Sequence, residues 1–330
     1  MPRVTVIVPT AARPETLETT LRGIARQTAT SQIAEVIVSE NLGDERSRSV
    51  CARFPDLPIT YKLREPSLGN MMQHAAKLFE EVRTEIVAFV CDDDVWAPGH
   101  LQSALDSLDR HPEAIAHFSG FIAAESEFSL QGAFWAPSLV WLVAGRPPRW
   151  SEYVMRLSQV LQLAWVITPF QWSTLVARSD AASVSASALT DSPHFFYADR
   201  LFITALAHHG VVIFDPSLDT LYRVYEGNWA RGQEPELLSS LLSECEALVL
   251  EDAESAGVDV PALWRQSLSQ MPSDIASDVE AHFRARFSQT ELDAHRFTEL
   301  LPAPLAAPSL AARLIARLKR AGGALMGKAV

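Results

Sequence analysis

The chain has 330 residues, 48% of them hydrophobic, with 40 acidic against 28 basic side chains and a formal net charge of -12. Length and apolar content are enough for a full core in one large domain, or one domain with an appendage, whereas the acidic balance argues against nucleic acid, whose backbone needs clustered Lys and Arg. The three cysteines, Cys51, Cys91 and Cys245, are far apart and show no CxxC pairing, so a reducing compartment is expected, without a disulfide framework or structural zinc.

From the N-terminus, MPRVTVIVPT is too short an apolar stretch for a secretory leader. Its segment VTVIVP (4–9) is β-branched and almost continuously apolar, the pattern of a strand covered on both faces. Pro14 suits a first helical position, and Leu17, Leu21 and Ile24 recur at helical spacing as far as Gln27. Strand-like EVIVS (35–39) and ITYKL (59–63) follow, then a helix over about 68–82 and a strand EIVAFV at 85–90. This alternation predicts an α/β fold, a mainly parallel sheet flanked by helices.

In such sheets ligands collect at the carboxyl ends of the strands, where loops converge and helix N-termini point inward. Three consecutive acids, Asp92, Asp93 and Asp94, occupy that position, ahead of a helix with Pro98 in its first turn and Leu101, Leu105 and Leu108 on one face. Adjacent carboxylates repel one another unless a cation sits among them, and Mg²⁺ or Mn²⁺ favours such oxygen ligands while leaving positions open for phosphate. The same triplet also suits a solvated helix N-terminus, so by itself the motif leaves both readings open.

Further on, AIAHFSGF (114–121) reads as a strand and WSTLVAR (172–178) as another, separated by a stretch holding Trp135, Trp141, Trp150 and Trp165. FFYADRLFITALAHHG (195–210) reads as a helix, followed by strand-like VVIFDP and TLYRVYEGNWA. The apolar stretch 160–176 contains Gln162, Pro169 and Gln171 and falls short of the roughly 20 apolar residues that span a bilayer. From about Glu234 the composition shifts to helix formers, and after Glu299 the sign of the charge reverses, with Arg313, Arg317, Lys319, Arg320 and Lys328 beside an apolar line of Leu310, Leu314 and Leu318. Residues 308–330 thus read as a basic amphipathic tail suited to an anionic membrane surface.

Four of these blocks, in order, resemble family 2 glycosyltransferases with the GT-A fold: VTVIVPTAARPETLETTLRGIARQT, EVIVSEN, EIVAFVCDDDVWAPGHLQSALDSLDRHPE and FFYADRLFITALAHHGVVIFDPSLDTLYRVYEGN. The resemblance covers roughly residues 1–230 and implies a Rossmann-like nucleotide-sugar-binding and catalytic domain there, with 231–330 as a helical C-terminal region. It implies a bacterial glycan-assembly enzyme, cytoplasmic or peripheral on the inner face of the cell membrane. Such an enzyme would move a sugar with inversion from a nucleotide-sugar, UDP- or dTDP-linked, to a glycan or lipid-linked acceptor. It also implies Pro9, Thr10, Arg13, Glu40, Arg64, Asp92 and Arg223 around the donor, Asp93 and Asp94 for Mn²⁺ or Mg²⁺, and Asp199 as general base. Trp135 and Trp172 are candidates for stacking on the acceptor sugar. The chain departs from the family pattern at Cys91, Ala198 and Tyr225, where an Asp, a Glu and a His are common. Those departures keep a non-catalytic binding module open. A nucleotidyltransferase is the other alternative, although PTAARPET lacks the glycines its phosphate loop usually carries. The segment 234–301 offers a surface for pairing with a second copy.

Overall fold

The computed structural model describes residues 2–125, 130–131, 152–166, 171–191, 198–224 and 234–269. Residues Met1–Ala256 form one compact unit and Gly257–Val330 a second. In the first unit, ten strands make one sheet: β1 (Val4–Thr10), β2 (Ile33–Glu40), β3 (Ile59–Leu63), β4 (Ile86–Phe89), β5 (Val95–Trp96), β6 (Ala114–Glu125), β7 (Leu130–Gln131), β8 (Tyr153–Met155), β9 (Leu175–Arg178) and β10 (Val211–Val224). The order is β3-β2-β1-β4-β9-β6-β10-β5, with β7 on β6 and β8 on β10. Strands β3, β2, β1 and β4 run parallel. β9 lies antiparallel between β4 and β6, and β6 pairs parallel with β10. The mainly parallel α/β layout expected from the sequence is the observed one.

Helices α1 (Pro14–Ala25), α2 (Glu45–Cys51), α3 (Met71–Glu81) and α4 (His100–Arg110) connect the first strands. Val4, Val6 and Val8 join Leu17, Leu21 and Ile24 of α1 and Leu101, Leu105 and Leu108 of α4 in one buried cluster. The intervening Ile7 is equally buried, because successive strand side chains alternate faces and both faces are covered. On the other side, Phe89 of β4 stacks on Phe79 of α3, with ring centroids 5.9 Å apart. Asn70 starts α3 with a capping box: its side chain accepts from Met72 N and Gln73 N while the Gln73 side chain accepts from Asn70 N.

The second half of this unit adds α5 (Leu157–Val166), α6 (Ser179–Ser185), α7 (Ser187–Asp191), α8 (Ala198–Ala207) and α9 (Pro235–Ser255). α8 packs against α5, α6, α7 and α9. In the second unit the described helix is α10 (Val260–Ser269). Several sequence readings shift in detail. α4 begins at His100 behind Gly99, so Pro98 precedes the helix. Trp172–Thr174 forms a 3-10 turn and only Leu175–Arg178 is strand. Helix α2 carries too short an apolar pattern to be read in advance. The tail 308–330 lies outside the described residues.

Candidate active site

The parallel strands deliver their carboxyl ends to one edge, where a groove of about 190 Å³ opens. It is lined by Pro9 and Thr10 at the end of β1 and Ala11 and Arg13 after it, Asn41 and Leu42 after β2, Gly69, Met71 and His74 at the start of α3, and Cys91 after β4. One wall is apolar, formed by Leu42, which is 65% exposed, and Met71. Opposite, the His74 imidazole bonds to Ser39 Oγ at 2.7 Å. Burial and the nearby Arg64 charge lower its pKa to about 4, so it is a neutral hydrogen-bonding group at neutral pH.

Asn41 was not singled out in the sequence, yet it builds this edge. Its amide oxygen accepts from Leu68 N at 2.7 Å and its amide nitrogen donates to Gly69 O at 3.1 Å. The groove is thereby tied to the loop before α3. Glu40 acts similarly from beneath: fully buried, it accepts from Ala12 N at 3.0 Å, Leu42 N at 2.9 Å and Ser47 Oγ at 2.7 Å. Ala12 has a φ of +54°, a left-handed conformation costly for a residue with a Cβ, and the bond to Glu40 holds it there. Glu40 therefore shapes the rim from inside instead of facing the groove as the sequence reading expected. Arg64 is also committed elsewhere. It makes a bidentate pair with Glu81 at 2.8 and 2.8 Å and donates to Ser39 Oγ at 2.7 Å.

The acidic turn follows directly. Asp94 N donates to Cys91 O at 3.1 Å, closing a tight turn, and the three aspartates diverge. Asp92 is fully buried and paired with Arg13, which donates through Nε to Asp92 Oδ2 at 3.1 Å and places a terminal nitrogen in ion-pair contact with Oδ1. The other terminal nitrogen of Arg13 reaches Asp93 Oδ2 at 2.8 Å. Asp94 turns inward. Its Oδ2 accepts from Ser173 Oγ at 2.5 Å and Gln171 Nε2 at 2.8 Å, and its Oδ1 from Arg223 N at 3.0 Å. Ser173 Oγ also accepts from Cys91 N at 2.9 Å. Ser173 and Gln171 thus fix the turn from a segment more than 75 residues away in sequence, and no local signal marked them.

Burial pushes the Asp92 pKa up to about 6 against the opposing Arg13 charge. Burial and the neighbouring Asp93 charge likewise raise Asp94, against its three hydrogen bonds. Single ligand atoms from Cys91, Asp93 and Asp94 lie within 4.8 Å of one another, a spacing that can hold a metal ion. Burial first, and then the Asp94 and Asp93 charges, raise the Cys91 thiol well above its ordinary value, and a neutral thiol is a poor partner for hard Mg²⁺ or Mn²⁺. The donor set suits such an ion through carboxylate oxygen alone. Asp93 is best disposed, because Asp94 already accepts three hydrogen bonds, and a hard cation with one or two protein carboxylates completes its shell with water and phosphate.

Asp199 sits in the first turn of α8, half-buried, accepting from Arg200 N at 3.0 Å. Burial raises its pKa to about 6, partly offset by the Arg200 cation. Phe202, three residues on and so on the same side of the helix, packs 5.2 Å from Trp172, whose neighbour Ser173 holds the acidic turn. α8 is therefore braced against the segment that carries the turn. Trp172 itself is half-buried among Phe79, Phe89 and Phe202, so most of its ring belongs to this aromatic cluster. Trp135 and Tyr225 lie outside the described residues.

Residues 5–155 match the model of glycosyl transferase family 2. Among solved structures, S. aureus TarS (residues 1–349) in complex with UDP-GlcNAc is 14% identical, with 90% of this chain and 78% of that chain covered and a TM-score of 0.57. The same TarS segment in complex with UDP is 13% identical over 84% of this chain and 82% of that one, with a TM-score of 0.50. No match was found among curated protein sequences. The match begins in β1 and runs through the acidic turn into β8, so residues 5–155 are similar to family 2 glycosyltransferases, and the fold is of the GT-A type.

Proposed function

We propose that the protein is an inverting transferase that takes a sugar from a UDP- or dTDP-linked donor to a glycan or lipid-linked acceptor, with residues 1–230 as its catalytic part. The observation that carries this reading is the continuity of the groove with the acidic turn: an apolar and hydrogen-bonding slot runs from Leu42 and Asn41 to Arg13 and Cys91, and Arg13 bonds to Asp93. The base lies against Leu42 and Met71, and the diphosphate reaches the turn. The TarS complexes with UDP and UDP-GlcNAc make uridine nucleotides the first donors to test.

Asp199 takes the proton of the acceptor hydroxyl as that oxygen bonds to the anomeric carbon. The bond from that carbon to the diphosphate oxygen breaks, its electron pair leaves with the nucleoside diphosphate, and the anomeric configuration inverts. A carboxylate raised to about 6 is ionised at neutral pH yet more basic than an ordinary aspartate, which suits general base catalysis. Asp93, with Asp94 and Asp92 beside it, would hold Mn²⁺ or Mg²⁺, which would supply positive charge for the departing diphosphate. Arg13 and Arg223 contribute cations on the same side. Trp172 and Trp135 border the acceptor, and the tail 308–330 brings the enzyme to an anionic membrane face where lipid-linked acceptors lie. Among the described residues no helix is long and apolar enough to cross a membrane.

Thermal unfolding with UDP, dTDP, GDP and CMP, each with Mn²⁺ and with EDTA, tests the donor reading. A ligand at 100 times its dissociation constant adds about 2.7 kcal/mol to the folded state. A Mn²⁺-dependent shift with UDP or dTDP supports the proposal, a shift with GDP or CMP alone replaces the donor class, and no shift with any of them rejects the slot as a nucleotide site. Unchanged liposome co-sedimentation after deletion of 308–330 would remove the membrane role of the tail.

A further inference from the structure

Arg13 caps the start of α1 immediately after Ala12 in its left-handed conformation, and its guanidinium spans two carboxylates at once. It donates to Asp92 Oδ2 at 3.1 Å and to Asp93 Oδ2 at 2.8 Å, and it lies in ion-pair contact with Asp92 Oδ1. Its side chain is 40% exposed, against 0% for Asp92 and 10% for Asp93. The guanidinium therefore stands between solvent and the carboxylate best placed to take a cation. A divalent ion arriving alone meets a positive charge that already satisfies Asp93 Oδ2. A diphosphate changes that balance, because its oxygens offer the arginine fork an equivalent bidentate partner.

We propose that Arg13 is a resident counter-ion that makes cation and nucleotide binding mutually dependent. It shields Asp93 from free divalent ions and releases it when the guanidinium transfers to the donor diphosphate. This rests on the reading of the acidic turn as the cation site.

The test is Mn²⁺ titration of the full chain, followed by calorimetry and by the electron paramagnetic resonance of free Mn²⁺, with and without saturating UDP, dTDP or GDP. Wild type should bind Mn²⁺ weakly alone and much more tightly with its nucleotide. Arg13→Gln should bind Mn²⁺ alone more tightly by about 5- to 150-fold, the usual range for such coupling, and the enhancement by nucleotide should shrink by a similar factor. Arg13→Lys, which keeps the charge without the fork, should fall between. Thermal unfolding of each variant confirms that it is folded. If wild type binds Mn²⁺ with nucleotide but Arg13→Gln gains no affinity for Mn²⁺ alone, the role of Arg13 is overturned while the cation site stands. If neither protein binds Mn²⁺ with any of these nucleotides, the cation site falls and this role with it.

Discussion

Glu81 and Asp93 are both carboxylates gripped by an arginine near the same edge of the sheet, yet their surroundings differ. Around Glu81 the grip is closed: Arg64 and Lys62 both donate to it, and the Arg64 and Glu81 side chains are only 13% and 18% exposed. Burial acts to raise its pKa, but the hydrogen bonds from Arg64 and Lys62 bring it down to about 2. The Asp93 side chain is as enclosed, at 10% exposed, but the arginine that grips it is 40% exposed, and the flanking Asp92 and Asp94 are pushed up by burial. A satisfied network stabilises the fold, whereas carboxylates whose ionisation the fold opposes mark the place where a ligand supplies what the protein does not.

That contrast can be broken by experiment. Asp199→Asn should lower kcat by about 10²- to 10⁴-fold, the usual cost of losing a general base, while the thermal shift with donor nucleotide persists. Near-normal turnover would move the base elsewhere. Asp93→Ala should abolish the Mn²⁺-dependent part of nucleotide stabilisation, whose total is about 2.7 kcal/mol at 100 times the dissociation constant; an undiminished shift would transfer the ligand role to Asp94 or Asp92. Glu81→Ala should do the reverse, costing about 1–3 kcal/mol in chemical denaturation by leaving Arg64 without its partner but sparing nucleotide affinity. A loss of affinity there would erase the distinction between the two networks.

The smallest effect is on pH dependence, and its sign separates the two groups. Asp92, Asp94 and Asp199 have folded-state pKa values above the roughly 3.9 of an unfolded aspartate. The folded protein therefore binds more protons between about pH 4 and 7, and their contribution to stability declines as pH rises through that window. Glu81 and Asp215, both at about 2, stabilise above about pH 4 and lose that contribution as pH falls toward 2. Proton uptake on folding, measured at pH 5, should shrink in Asp199→Asn. The kcat/KM profile should show an acid limb near pH 6 from Asp199; a limb near pH 4 would mean an ordinary, solvated carboxylate.

Much of the first hundred residues was legible because function and fold share a local pattern there. β1, α1 and the strand before Asp92 announce themselves by periodicity, and the resemblance set the acidic turn in its place. The sequence could not show which way a strand-end side chain points. Glu40 and Arg64 occupy the expected edge, but Ser47 and Ala12 claim one and Glu81 the other. Nor could it show that Ser173 and Gln171 reach the turn, since that proximity is created by β9 inserting antiparallel beside β4. The long strand β10 read as two pieces because its pairing with β6 shifts register between Asp215 and Leu218.

The aromatic chain from Phe79 and Phe89 through Trp172 to Phe202 joins α3, whose first turns wall the groove, to α8, which bears Asp199. Close-packed rings transmit displacement better than they absorb it. Here the helix that lines the groove and the helix that carries Asp199 are packed against one another through a continuous set of rings.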